Sequence, residues 1–312
     1  MLSFLLFQVP MFPEQASTTA PKIDAVSFVL TALSVFFSVA VALALTYFAI
    51  KYRRGSRADR SHPIAGSLRL ELAWSVIPLI MALAVFTWAA SVYFDVVHPP
   101  EGSTEVYAVG RQWMWFIQHP TGQREINELH VPVGQPVKMI MTSQDVIHSF
   151  FVPAFRIKQD VVPGMFTQTW FQATKPGKYH LFCTEYCGTE HSMMRGTVTV
   201  LEADDYAQWL RTNTVQESMA QGGERLFREY GCSGCHAGNG SVRAPVLNGV
   251  YGKPVPLDTG ETVIADDMYI HDSILQPQKQ IVGGYDPIMP TYQGQIKEQD
   301  LMQIVYYIKS LR

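Results

Sequence analysis

Cys183-Thr184-Glu185-Tyr186-Cys187-Gly188-Thr189-Glu190-His191-Ser192-Met193-Met194 brings two thiols, an imidazole and a thioether into one short stretch. Three residues between the cysteines allow a loop in which both sulfurs point at one place, and His191 follows Cys187 at the same interval. A bare Cys-x-x-x-Cys reads first as a zinc site or a pair of buried thiols. Adding His191 and Met194 turns the set toward copper, because a thioether is a poor zinc ligand and a good copper one. A further ligand must come from elsewhere in the chain. His148 is the candidate, since it opens the strand-like run His148-Ser149-Phe150 after the polar turn at Asp145.

Around this stretch, from Thr104 to Val200, short segments rich in Val, Thr, Tyr and Phe are broken by Gly134, Pro153, Pro163, Gly164, Pro176 and Gly177. That spacing predicts an all-β sandwich or barrel. A short helix around Asp204 to Arg211 and a polar linker over 212–219 follow it. Upstream, Ala25 to Ile50 carries no charge and at 1.5 Å per residue spans about 39 Å, enough to cross a bilayer. A second uncharged run, Leu72 to Phe94, has Trp74 and Trp88 near its ends and Pro78 in its early turns. The loop between the runs holds Lys51, Arg53, Arg54, Arg57, Arg60 and Arg69 against Asp59 and Glu71, which puts it in the cytoplasm. Both termini then face the periplasm of a bacterium. Residues 1–24 read as an N-terminal interfacial segment, with apolar Met1 to Val9 lacking the basic start of a signal peptide.

Only 16% of the chain is charged and 47% is apolar, against roughly a quarter charged in a typical soluble protein. A net charge of −3 gives no basic surplus for a phosphate backbone, so nucleic acid is excluded as a partner. The other two cysteines stand in Cys232-Ser233-Gly234-Cys235-His236, the pattern of c-type haem attachment: two thiols join the haem and histidine binds iron. A thioredoxin-like pair would need a βαβ pattern that is missing there. The unit from 220 to 312 ends in a predicted helix with Leu301, Ile304, Val305 and Ile308 on one stripe. A sixth iron ligand can come from Met268, Met289 or Met302. Met302 falls within the final helix, and Met268 follows two aspartates in a helix-like run.

These residues resemble cytochrome c oxidase subunit II, the copper A subunit, over about residues 25 to 210. The family likeness implies a cupredoxin-like barrel (98–211) behind a two-helix transmembrane hairpin (25–97). It implies that Cys183 and Cys187 bridge two coppers, that His148 and Met194 complete one, and that His191 and the Glu185 carbonyl complete the other. The Glu185 side chain would face a magnesium ion shared with subunit I. Glu71, in Glu71-Leu72-Ala73-Trp74-Ser75-Val76-Ile77-Pro78, is by the same likeness a candidate opening of a proton path, or else an interfacial carboxylate. Trp113, in Trp113-Met114-Trp115-Phe116, corresponds to the point where electrons enter, with core packing as the alternative.

The loop Tyr285-Asp286-Pro287-Ile288-Met289-Pro290 resembles the Met-Pro loop of class I cytochromes c, which selects Met289 as the sixth ligand. Pro245 and Leu247 look like the residues lining the histidine side of the haem. The whole chain thus reads as a multi-domain membrane protein: a helical hairpin, an all-β barrel and an all-α class I cytochrome c domain, as in oxidases with a fused electron donor. Expected partners are subunit I, subunit III, and a cytochrome c or quinol-oxidising complex as donor. A copper A nitric oxide reductase and a membrane-tethered carrier are the alternatives. His62, His98, His119, His130, His180 and His271 receive no role.

Overall fold

The computed structural model describes residues 12–61, 66–213, 217–236 and 244–311. The chain divides into two compact units, Thr18–His98 and the remainder. The first consists of α1 (Ala20–Lys51) and α2 (Leu68–Val97), both long and apolar enough to cross a membrane. α1 extends beyond the uncharged run, because helical hydrogen bonding continues past the apolar residues through Lys22 and Asp24. Lys22 pairs with Asp95 at 2.7 Å, joining the start of α1 to the end of α2. α2 opens on Ser67, whose hydroxyl accepts the Leu70 N–H, and Glu71 lies exposed in its first turn.

The β-domain is a sandwich of two five-stranded sheets. Its strands are β1 (Thr104–Arg111), β2 (Met114–Gln118), β3 (Arg124–Ile126), β4 (Glu128–Pro132) and β5 (Pro136–Ser143). They continue with β6 (His148–Val152), β7 (Ile157–Val161), β8 (Thr167–Gln172), β9 (Gly177–Cys183) and β10 (Arg195–Leu201). One sheet has the order β3-β2-β1-β5-β8 and the other β4-β10-β9-β6-β7. Alternation along the strands turns Trp115, Met139, Phe150, Phe171 and Leu181 inward, where each is fully buried. α3 (Ala203–Thr212) follows β10.

Met1 to Val9 lie outside the described residues, as do His62 and 214–216 of the expected linker. Residues 12–17 correct the reading of 1–24 as an interfacial segment. Ala16 is fully buried and exchanges backbone hydrogen bonds with Ala154 and Thr174, so this stretch adds to the β-domain. Residues 20–24 belong to α1. Hydropathy registers neither a short backbone pairing nor the polar end of a helix.

The C-terminal domain holds α4 (Met219–Glu229), α5 (Ser233–His236), a hairpin of β11 (Pro254–Pro256) and β12 (Thr262–Ile264), α6 (Asp267–Leu275) and α7 (Glu298–Ser310). Leu301, Ile304, Val305 and Ile308 form the buried stripe of α7. α4 crosses α7 at Gly223, where a Cβ would come within 2.0 Å of the Gln303 carbonyl oxygen. Only glycine allows the two backbones to approach this closely.

Candidate metal and haem centres

The copper-type donors gather at one end of the second sheet. His148 begins β6, Cys183 ends β9, and the pairing of Phe150 with Cys183 holds these strands together. The chain then loops through Cys187 to a turn at His191–Met193 and returns at Met194, whose carbonyl accepts the Cys183 N–H at 3.0 Å. The two sulfurs are 3.8 Å apart and free. Cys183 Sγ is 3.9 Å from His148 Nδ1 and 3.3 Å from the Glu185 carbonyl oxygen. Cys187 Sγ is 3.4 Å from His191 Nδ1 and 3.8 Å from Met194 Sδ. The other four of the six expected donor groups therefore surround this pair of sulfurs. His148, Cys183, Cys187 and Met194 are buried, while the Glu185 side chain is exposed.

The surrounding residues orient these donors. Asp145 Oδ1 lies 2.8 Å from His148 Nε2, which turns Nδ1 toward Cys183. Asp145 is itself held by the Gln112 N–H at 2.8 Å. The Gln112 amide and the Trp113 indole N–H both donate to the Cys187 carbonyl, at 2.9 and 3.2 Å. Gly110 lies against the site, where a Cβ would come within 2.9 Å of the His148 ring. Burial alone would raise the Cys183 pKa, but hydrogen bonds from His148 and the backbone outweigh it and hold the thiol down to about 7. Burial and the neighbouring Cys183 push Cys187 up to about 12. Two buried thiols, two imidazoles, a thioether and a carbonyl form a donor set that fits copper and is a poor fit for zinc.

The second centre is a largely apolar cavity of about 740 Å³ in the C-terminal domain. Cys232, Cys235, His236, Pro245, Leu247 and Met289 all line it. The Pro245 carbonyl lies 2.9 Å from His236 Nδ1, leaving Nε2 for a metal. Met268 instead takes the Phe166 N–H on its sulfur at 3.4 Å, at the boundary with the β-domain. Met302 is buried beside Tyr107. Of the three methionines, the cavity contains Met289 alone, and its size and apolar lining fit a haem.

Residues 121–201 match the family model described as cytochrome c oxidase subunit II, periplasmic domain, and residues 220–312 match that of cytochrome c. Cytochrome c oxidase subunit 2 of Alkalihalophilus pseudofirmus is 32% identical over 291 residues, covering 88% of this chain and 83% of that protein. The chain belongs to the cytochrome c oxidase subunit 2 family. The subunit 2 of Thermostichus vulcanus is 30% identical over 258 residues, covering 65% of this chain and 78% of the relative. Among solved structures, the periplasmic domain of subunit II of cytochrome oxidase of Bradyrhizobium japonicum aligns at 32% identity and a TM-score of 0.36, over 37% of this chain and 96% of that one. As an oxidase subunit 2 with a cytochrome c domain, the chain is part of a haem-copper oxidoreductase, membrane-anchored and with periplasmic domains. The first family match implies copper A and the second haem.

One cluster in this subunit 2 has no counterpart in the sequence reading. Glu125 lies between His119 Nε2, at 2.8 Å, and His130 Nδ1, at 2.5 Å, and Trp209 of α3 stacks on His130 at 4.7 Å. Burial would raise the Glu125 pKa, but the two imidazoles lower it. The triad fastens α3 to the sandwich. His271 is also buried, with its ring 4.8 Å from that of Phe166. Neither group follows a local motif, so sequence spacing held no signal for them.

Proposed function

We propose that this subunit takes electrons from an external donor at its C-terminal domain and delivers them from its β-domain to subunit I, where oxygen is reduced to water. The observation that carries this reading is the presence, in one compact unit, of a six-donor copper-type site and a haem-sized cavity with a Cys-x-x-Cys-His attachment sequence. When bound, a copper pair on Cys183, Cys187, His148, Met194, His191 and the Glu185 carbonyl, and a haem c on Cys232, Cys235, His236 and Met289, supply reversible one-electron chemistry.

The protein's own work is orientation and exclusion of water. Asp145 and the Pro245 carbonyl fix the two key imidazoles, and burial of His148 and Met194 keeps solvent from the thiols. Neither α1 nor α2 contains a histidine, so the oxygen-reducing site belongs to a partner within the membrane. The exposed Glu185 carboxylate is a ligand for magnesium at the boundary with subunit I, and Glu71 at the start of α2 is the opening of a proton path in a proton-translocating complex. Trp113, half-buried against the core and bonded to the Cys187 carbonyl, stands at the position to which the family resemblance gives electron entry, with core packing as the alternative role. Subunit III and a cytochrome c or quinol-oxidising donor complete the assembly. The hairpin starts with α1 at residue 20 and is followed by domains over 98–211 and 220–312, with both termini and both redox domains on the periplasmic side of the inner membrane.

The test is to purify the complex through a tag on this chain, quantify copper and c-type haem, and assay consumption of oxygen and of nitric oxide. Two coppers, one haem c and rapid oxygen uptake are expected. Nitric oxide turnover without oxygen uptake would transfer the chain to a copper A nitric oxide reductase, and absence of any catalytic partner would leave a tethered carrier.

A further inference from the structure

Resting on the electron-carrying role proposed above, we infer that electrons pass into the β-domain through the face covered by α6 and α7, by way of Phe166, Thr142 and Ser143 toward His148, and not through Trp113. α6 and α7 are two-sided. Ile270, Ile274, Ile304 and Ile308 line the haem cavity, while His271, Met302, Tyr306 and Lys309 meet the β-domain. One helix thickness, about 10 Å, therefore separates the cavity from the sandwich.

The contact is built like a domain core. Tyr107, Val109 and Ile140 of the sandwich and Met219 and Met302 of the C-terminal domain form one buried cluster. Tyr107 and Tyr306 meet edge to face at 5.6 Å, and Lys309 donates to both Glu105 oxygens at 2.7 and 2.8 Å. A core of this kind with a half-buried ion pair at its margin holds one fixed arrangement and so provides a fixed path.

Two adjoining contacts lead from it to the copper-type site. The His271 ring is 4.8 Å from that of Phe166, whose loop is bridged to the end of β5 by the pairing of Pro163 with Ser143. Glu298 Oε2 lies 3.7 Å from His271 Nε2 and accepts from the Thr142 hydroxyl at 3.5 Å. Ser143, the next residue, has its hydroxyl 3.4 Å from Asp145 Oδ1, which is 2.8 Å from His148 Nε2. Thr142, Ser143 and His148 are all within 1% of complete burial, and the line meets solvent at Asp145 and in part at Phe166 and Glu298. Among the described residues, no hydrogen bond, ion pair or ring contact joins Trp113 to α6 or α7. In the transfer the C-terminal centre is oxidised by one electron and the β-domain centre reduced by one, with no bond made or broken.

The intact complex carries two tests. Deuterium exchange across Asp267–Leu275 is expected to rise in Phe166→Ala and not in Trp113→Leu, reporting the contact independently of turnover. After flash reduction of the haem, transfer to the copper pair is expected to slow severalfold in Phe166→Ala and to a smaller extent in Thr142→Val. Trp113→Leu, which removes the hydrogen bond to the Cys187 carbonyl, should slow it less than Phe166→Ala does. Equal or greater slowing in Trp113→Leu, or unchanged exchange in α6 of Phe166→Ala, overturns the inference. Failure of the wild type to pass any electron between the two centres would instead remove the role on which the inference rests.

Discussion

Asp145 Oδ1 stands 2.8 Å from Nε2 of His148, so a surface carboxylate decides which nitrogen of a buried imidazole faces Cys183. The sulfur lies 3.9 Å from Nδ1, and the ring is wholly buried with Trp115 at its side. Without Asp145 the ring keeps its place but loses the group that sets its tautomer. Asp145→Ala is therefore expected to lower copper affinity by about 10- to 100-fold, the usual effect of losing such an orienting partner. Competition titration with a copper chelator checks this, and unchanged affinity would show that packing alone orients the ring.

Met289 is the methionine that reaches the haem cavity, and its replacement separates ligation from folding. Met289→Leu keeps a side chain of similar volume, a change that costs under about 1.5 kcal/mol. Covalent attachment through Cys232 and Cys235 should persist while the thioether's effect on the iron is lost. The visible spectrum should change and the haem potential should fall, since methionine opposite histidine raises it. Met268→Leu should leave both unaltered, because its sulfur accepts the Phe166 N–H.

How much of this was legible in the sequence depends on how local each feature is. Cys183, Cys187, His191 and Met194 fall within one short stretch, so spacing brings them together, whereas the Glu185 carbonyl followed only from the family resemblance; His148 announces itself by opening a strand after a polar turn. Cys232 to His236 is legible for the same reason. The His119, Glu125, His130 and Trp209 cluster draws on three β-segments and α3, and no periodicity links them. The role of Met268 was hidden likewise, because its partner Phe166 lies in another domain.

At Gly223 the prediction is direct. A Cβ would come within 2.0 Å of the Gln303 carbonyl oxygen and 2.6 Å of the Tyr307 Cβ, and both belong to the backbone or its first side-chain carbon. Neither can swing away, so α4 and α7 must separate. Gly223→Ala should destabilise the C-terminal domain by about 1–3 kcal/mol or more, despite alanine's better helix propensity. Thermal unfolding and the yield of attached haem read this out.

The ion pair between the two domains makes stability depend on pH with a definite sign. Burial alone would raise the Glu105 pKa, but Lys309 and Lys138 outweigh it and hold the carboxyl below its ordinary 4.5. A carboxyl that binds its proton more weakly when folded contributes fully above about 4.5, and loses that contribution as pH falls through the lower folded value. Lys309 behaves in the opposite direction. Burial would lower its pKa, but Asp267 and Glu105 raise it above 10.5, so its contribution is present below 10.5 and lost only as pH rises through the raised value. Stability from this pair should be flat from roughly pH 5 to 10 and decline on the acid side. Glu105→Gln should flatten the acid limb in part, because Glu125 and Asp145 are also depressed and titrate in the same window. Lys309→Met should cost roughly 3 kcal/mol near neutral pH, since it leaves a largely buried carboxylate without its closest partner. Thermal melts of the three proteins between pH 3 and 8 check both statements, and an acid limb as steep in Glu105→Gln as in the wild type would assign the decline to the other carboxylates.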